Sequence, residues 1–574
     1  MQSGAATRGA RADASKELER LLRACRVFCT ATALPNGFES ERVMNQTFDF
    51  VIVGAGSAGC VLANRLSRDP SVRVLLLEAG GWDKDPMIGL PVGIKPMTAK
   101  KQYRWVDTSD PDEGLNGRIN EVLHGKVIGG GSSINYMAHT RGHPRDYERW
   151  VAAGADGWGF EDVAPFFKEC EAWEHGENAT RGGVGEIGAQ LGRLDDPVFA
   201  AWFDALCALG YDRTDDYNAS HPEGFCAVQY SIRNGRRSSA AREFLHPVLQ
   251  RPNLTVQVES MATKILFDKT RAVGAEYVTK GQKQAARAGR VVLSLGAINT
   301  PHLLMLSGIG PAAHLRSMGI SPLVNLPVGQ GLEDHLGVEV MWERKQPGTF
   351  HQSLRLDRAV FSMFRGLAFR SGPASRLPGV ILGFAKSNSA LPQPDLQYYL
   401  QTPPPYADVW FPGLKRPYQD TLSVKMNLLS QQSRGEILLR STDPTERPRI
   451  VYNSLSEPRD IETLREGVMR AQAMLESAEL SPFRGNPLMP DRPFRNNAEV
   501  DAYIRSHAFQ QYHPACTCKM GKDETDSVLN PDLSVRGLDG LSVADASVMP
   551  NLVSANPNIP VVMLAAKAAA MWLG

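Results

Sequence analysis

Three things are scarce in this chain: cysteine, an excess of either charge, and long apolar runs. The cysteines number 8 in 574 residues, and no apolar stretch approaches the eighteen or so residues of a membrane span. Lysine plus arginine (63) balance aspartate plus glutamate (62), so the net charge of +1 offers no footprint for nucleic acid or another polyanion. Cys25 and Cys29 sit four apart and Cys516 and Cys518 two apart, but neither pair has a second pair to complete a zinc site. Thin scatter of this kind reads as reduced thiols in a cytoplasmic protein, not as a disulfide framework. No signal-peptide core is visible. What is present is ordinary globular composition, 43% hydrophobic and 22% charged, in a chain long enough for two or more domains.

Residues 1–44 differ from the rest. Ser15 is placed to cap a short helix over 16–25, but the flanks are rich in Ala, Arg, Ser and Gly without a period, and Met44 directly precedes the first strand. We read them as an extension without structure of its own. Asp13, Glu17, Glu19, Glu39 and Glu41 count against an organelle-targeting peptide, which is poor in acidic residues.

The organising stretch follows. Phe50-Val-Ile-Val53 leads into Gly54-Ala-Gly56-Ser57-Ala58-Gly59, then a helical segment with Leu62 and Leu66 one turn apart, then an apolar run from Val72 to Leu77 that ends on Glu78-Ala79-Gly80. This is strand, glycine turn, helix, strand. The first glycine allows the tight turn, the second lets backbone approach a pyrophosphate, and the third lets helix and strand pack closely. Glu78, about twenty residues past the last glycine, is placed to accept hydrogen bonds from ribose hydroxyls. The pattern predicts a bound dinucleotide without choosing between NAD and FAD.

Further on, Gly125-Lys-Val-Ile-Gly129-Gly130-Gly131-Ser132-Ser133-Ile134-Asn135 calls for backbone lying flat against something, with amides and hydroxyls pointing at it. Helical spacing is expected over 146–173 and 196–211, and short strands at 254–258, 264–267 and 272–277. A strand over 290–295 runs into a glycine turn and helix over 296–310. From 331 to 509 the runs 338–342, 395–400 and 422–426 alternate as antiparallel strands with one solvated face, and 465–475 reads as a helix. The domain reading is therefore a nucleotide domain over 45–330 with insertions, a substrate domain over 331–509, and a return to the nucleotide domain over 510–574. That last part carries Tyr512-His513-Pro514, Val543-Ala544-Asp545-Ala546-Ser547 and Asn556-Pro557-Asn558.

Taken together, these motifs resemble the glucose-methanol-choline (GMC) family of flavoprotein oxidoreductases, and within it the choline dehydrogenase-like alcohol dehydrogenases. The resemblance runs from about 45 to 574. It implies an α/β fold, a Rossmann-like FAD-binding domain interleaved with an α+β substrate domain on a mostly antiparallel sheet. It also implies FAD as cofactor, held by Gly54, Gly56, Ser57, Ala58, Gly59, Glu78 and Ala79, by Gly129, Gly130, Ser132, Ser133 and Asn135, and by Ala262, Asp545, Ala546 and Pro557. His513 resembles the family's active-site histidine and Asn556 its second member. The chemistry agrees: a histidine suits proton removal from a hydroxyl near neutrality while hydride leaves for flavin N5, and an asparagine holds the oxygen without competing for the proton. His507 is the nearest rival base. Members that attach FAD covalently carry histidine just before the signature asparagine; Ile134 stands there, which implies non-covalent FAD. The expected partners are a small-molecule alcohol and, as electron acceptor, oxygen or a quinone-type carrier. The alternative is a hydroxynitrile lyase-like member that keeps FAD without redox turnover.

Overall fold

The computed structural model describes residues 47–219, 222–523 and 525–574. The expectations for residues 1–44, with Ser15, Cys25, Cys29 and Met44, lie outside the described residues.

The first sheet is built on β1 (Thr47–Val53), β2 (Val74–Leu77), β3 (Leu254–Gln257), β4 (Ser260–Asp268), β5 (Arg271–Thr279) and β6 (Gln282–Leu293), in the order β3-β2-β1-β6-β5-β4. The short strand Leu541–Val543 pairs with the end of β6. Strands β3, β2, β1, the end of β6 and Leu541–Val543 are parallel neighbours, while β4, β5 and the start of β6 form an antiparallel extension. A parallel strand is covered on both faces, and Val51 to Val53 and all of β2 are buried accordingly. The sequence marked only the apolar end of β6. Its polar first half is held by hairpin pairing with β5 across the turn at Lys280-Gly281, a support that hydrophobic pattern does not register.

Helix α1 (Ser57–Leu66) crosses from β1 to β2 and is buried from Ala58 through Leu66, between the sheet and the C-terminal helix Asn558–Leu573. Its entry explains the glycines. Gly54 has φ +99°, and a Cβ on Gly59 would stand 1.9 Å from the Gly54 carbonyl oxygen. Helix and turn can approach this closely only without a side chain there.

The second sheet comprises β7 (Leu336–Arg344), β8 (Val380–Ala385), β9 (Leu396–Gln401), β10 (Thr421–Leu428) and β11 (Arg484–Met489), in the order β11-β7-β10-β9-β8, with Gly224–Ala227 on the far edge and Phe509–Gln510 beside β7. All its pairings are antiparallel. One face, with Val338, Val340, Trp342, Leu396, Leu400, Leu422 and Val424, packs against Leu464, Val468 and Ala471 of the helix Pro458–Glu476. The alternation predicted that the opposite face would be solvated, and here the structure differs. Glu339, Gln397, Ser423 and Asn427 are buried, and Gln511 and Asn556 lie against this face, bonded to Lys425 and Gln397. Period-two alternation reports the polarity of a face, not what covers it.

The glycine turn yields a paired test. Gly59→Ala should destabilise the protein by about 1–3 kcal/mol through overpacking against fixed backbone. Gly56→Ala, whose Cβ would meet nothing closer than Ser294 O at 3.7 Å, should leave the urea midpoint nearly unchanged. Equal midpoints for the two variants would refute the packing account.

Candidate active site

One continuous cavity runs from the first glycine turn to His513. At its nucleotide end it is lined by Gly54, Gly56, Ser57, Ala58, Glu78, Ala79 and Ala262, then by Gly130, Asn135, Asp545, Ala546 and Pro557. Three helix N-termini open onto it, at Ser57, Gly296 and Asn558. Helix α1 starts at Gly56 with no side-chain cap, so its first-turn amides and positive dipole end are available to an anion such as a pyrophosphate. Gly131 and Gly296 line the cavity with nothing within 4 Å of where a Cβ would stand, leaving a flat wall for a ring system. Gly130 lies so close to the first turn that its Cβ would be 2.7 Å from Gly56 Cα. These residues fit FAD.

Glu78 ends β2 as the spacing predicted. Its carboxylate accepts from Ala55 N (2.9 Å) and Gly80 N (2.8 Å), and burial pushes it up to about 6. The two amides fix its orientation and leave further lone pairs for ribose hydroxyls. Asp545 caps the turn over Ala546–Val548 and receives Gly296 N (2.9 Å) and Thr300 Oγ1 (2.6 Å), pinning the start of the helix Gly296–Leu306. Asn135 is held through Oδ1 by the buried Arg237 (2.8 Å). Gly59, Gly129, Ser132 and Ser133 stand behind the lining. The serine hydroxyls donate to Gly129 O and Ile128 O (2.7 Å each), so they shape the loop and do not point into the cavity.

At the other end stand Tyr136, Gln511, Tyr512, His513 and Asn556. The segment around His513 runs antiparallel to residues 333–337: Ala515 bridges Glu333, Gln511 N donates to His335 O (2.9 Å), and Gln510 pairs with Leu336. Tyr512 and Cys516 take left-handed φ values of +61° and +72° on either side, a strain held by this pairing. His513 N donates to Asp334 Oδ1 at 2.9 Å. Its ring touches two groups, Asn556 Nδ2 at 3.1 Å from Nε2 and His335 Nδ1 at 3.0 Å from Nδ1.

The hydrogen bonds assign the protons. Asn556 Oδ1 accepts from Tyr399 Oη (3.0 Å), Gln397 Nε2 (3.3 Å) and Thr140 Oγ1 (3.3 Å), which turns Nδ2 towards the histidine. Nδ2 can only donate, so His513 Nε2 is unprotonated, Nδ1 carries the hydrogen, and His335 Nδ1 accepts it. Burial, with His335 and Lys425 adding to it, holds His513 well below the ordinary histidine value. His507 is no rival: it lies at the end of the helix Asn497–His507, stacked on Tyr503 and bonded to Tyr503 O, away from the cavity lining. Sequence reasoning missed His335, Gln397, Tyr399, Lys425 and Gln511. The sole signal was Asp334-His335 just before an alternating strand.

Among the described residues no three or more His, Cys, Asp or Glu group to hold a metal, and no helix is long and apolar enough to cross a membrane.

Comparison with known proteins agrees with this geometry. The profile for the N-terminal part of GMC oxidoreductases matches residues 48–337 and that for the C-terminal part matches 431–565. Mitochondrial choline dehydrogenase of Mus musculus is 39% identical over 534 residues, covering 91% of this chain and 89% of its own. Oxygen-dependent choline dehydrogenase of Photobacterium profundum is 37% identical over 537 residues, covering 92% and 94%. Among solved structures, pyridoxine 4-oxidase from Mesorbium loti superposes with a TM-score of 0.81 at 29% identity, covering 92% of this chain and 99% of that one. The chain therefore belongs to the GMC oxidoreductases, FAD-dependent enzymes acting on the CH–OH group of alcohols.

Proposed function

We propose that His513 takes the hydroxyl proton of a small alcohol and that Asn556 orients the alcohol oxygen. The contact between His513 Nε2 and Asn556 Nδ2 carries this reading. A hydroxyl entering between them donates to Nε2 and accepts from Nδ2, so two hydrogen bonds replace one and the proton points at the only unprotonated ring nitrogen. Bound FAD supplies the acceptor for the hydride that leaves the carbon. His335 is the positioning residue: by accepting from Nδ1 it fixes the tautomer that leaves Nε2 free for the proton, while burial pushes its own value down to about 4 and keeps it an acceptor. The acceptor of the reducing equivalents is proposed to be oxygen, as the name of the Photobacterium profundum relative states for that protein. A cytoplasmic location is supported by the free thiols at Cys60, Cys170, Cys207, Cys226, Cys516 and Cys518.

Ile134 is buried in the cavity wall where a covalent histidine link would stand. Acid precipitation should therefore leave all the flavin in the supernatant; yellow colour retained in the pellet would contradict non-covalent binding.

His513→Ala should slow anaerobic flavin bleaching by an alcohol about 10²–10⁴-fold with the protein still yellow. In the wild type the base is active when neutral, and its lowered value keeps it neutral at pH 7. Activity should thus persist as pH falls through 6.5 and decline only below it. Undiminished bleaching in the alanine variant, or an acid limb above 6.5, would sink the assignment.

His335→Leu removes the acceptor for Nδ1, and the bleaching rate should drop about 10- to 100-fold with little change in alcohol affinity. His335→Asn places an amide oxygen near the lost nitrogen and should restore much of the rate. A leucine variant as fast as wild type would show that His335 merely fills space.

A further inference from the structure

A buried ammonium stands behind the alcohol end of the cavity. Gln511, two residues from His513 in the lining, accepts from Lys425 Nζ at 2.9 Å. The same ammonium lies 4.6 Å from the centre of the Tyr399 ring, whose hydroxyl holds Asn556. Lys425 is therefore one hydrogen bond behind the wall that an alcohol must touch, and its field is one of the influences lowering His513.

No ionised carboxylate in the lining answers it there. Among the described residues the carboxylates lining the cavity are Glu78 and Asp545, both committed to backbone amides of the nucleotide half. Asp334, beneath His513, is pushed up to about 8 by burial and so is largely protonated near neutrality. Burial pushes Lys425 itself down, and Glu339, directly opposite it on the next strand, favours its charged form; the Glu339 carboxylate accepts from Gln401 Nε2 and is bonded to no lining group.

Aromatic faces are the other way to hold a quaternary ammonium. Here they are already in use. Trp105, in the lining, has Lys126 Nζ 4.5 Å and the Arg447 guanidinium 4.2 Å from its ring centre, and Tyr399 carries Lys425. Tyr136 and Tyr512 remain, and they are 65% and 40% exposed, where water weakens such a contact.

Resting on the alcohol-oxidation reading, we propose that this subsite takes an uncharged hydroxyl compound and that Lys425, acting through Gln511, discriminates against quaternary ammonium alcohols. A cation brought into a partly desolvated site beside a like charge is disfavoured, and repulsion is as effective as attraction in setting specificity. Choline, named for the relatives at 37% and 39% identity, would then be a poor substrate of this enzyme.

The test compares choline with its uncharged isostere, in which a tert-butyl group replaces the trimethylammonium. Affinities are read on the FAD-loaded His513→Ala protein, where binding is separated from turnover, and again from the concentration dependence of anaerobic bleaching in the wild type. The isostere should bind about tenfold or more tightly than choline. Lys425→Met should shift that ratio about tenfold in favour of choline. Choline binding as tightly as the isostere overturns the proposal, and an unchanged ratio in Lys425→Met overturns the role of Lys425. Failure of any alcohol to bleach the wild-type flavin, with the binding order intact, would instead refute the alcohol-oxidation reading while leaving the charge selectivity standing.

Discussion

The antiparallel pairing of residues 509–515 with 333–337 is the constraint on which the site depends. It joins the C-terminal segment to the leading edge of β7, so that the second sheet and the returning nucleotide half share a boundary. Through it, two histidines far apart in the chain come within 3.0 Å. Without this register His513 would still follow a glutamine and a tyrosine, but its ring would have neither a fixed tautomer nor a direction.

The same pairing helps to cover a polar sheet face that alternation alone would leave to water. Burying such a face is unfavourable unless its donors and acceptors are matched. Most are: Asn427 donates to Gln397, Gln397 to Asn556, Gln401 to Glu339 and Lys425 to Gln511. The network is thus both the support of the second sheet and the back wall of the active site. A side chain there cannot change for stability without consequences for the reacting groups.

This is also why the two halves of the site differ in legibility. The nucleotide half could be read because its requirements are local: Gly54, Gly56, Gly59 and Glu78 lie within one strand-helix-strand unit, and each answers a backbone demand that few residue types meet. The glycine-rich stretch 125–135 was readable as a cradle through Gly130, although Ser132 and Ser133 serve their own loop. His513 and Asn556 were found through family motifs, not through pattern. Their neighbours come from residues 140, 335, 397, 399, 425 and 511; only 397 and 399 share a strand, and no spacing rule links that strand to the rest. Lys425 is the clearest case. In the sequence it is the polar member of an alternating strand, and only the layer above it turns that polarity into a field at the histidine.

A base held this far from protonation is a weak base, which at first sight opposes proton removal. The two demands are compatible because an alcohol hydroxyl becomes acidic as its carbon loses hydride. On the proposed reading the histidine therefore need not be strong at the start; it must be unprotonated and aimed. Burial favours the first, and Asn556 and His335 fix the second. Placing a buried cation nearby as well deepens the preference for a neutral histidine and raises the cost of its imidazolium form. On the proposed reading aim must make up for that cost: Asn556 and His335 hold the ring so that the hydroxyl proton meets Nε2 directly.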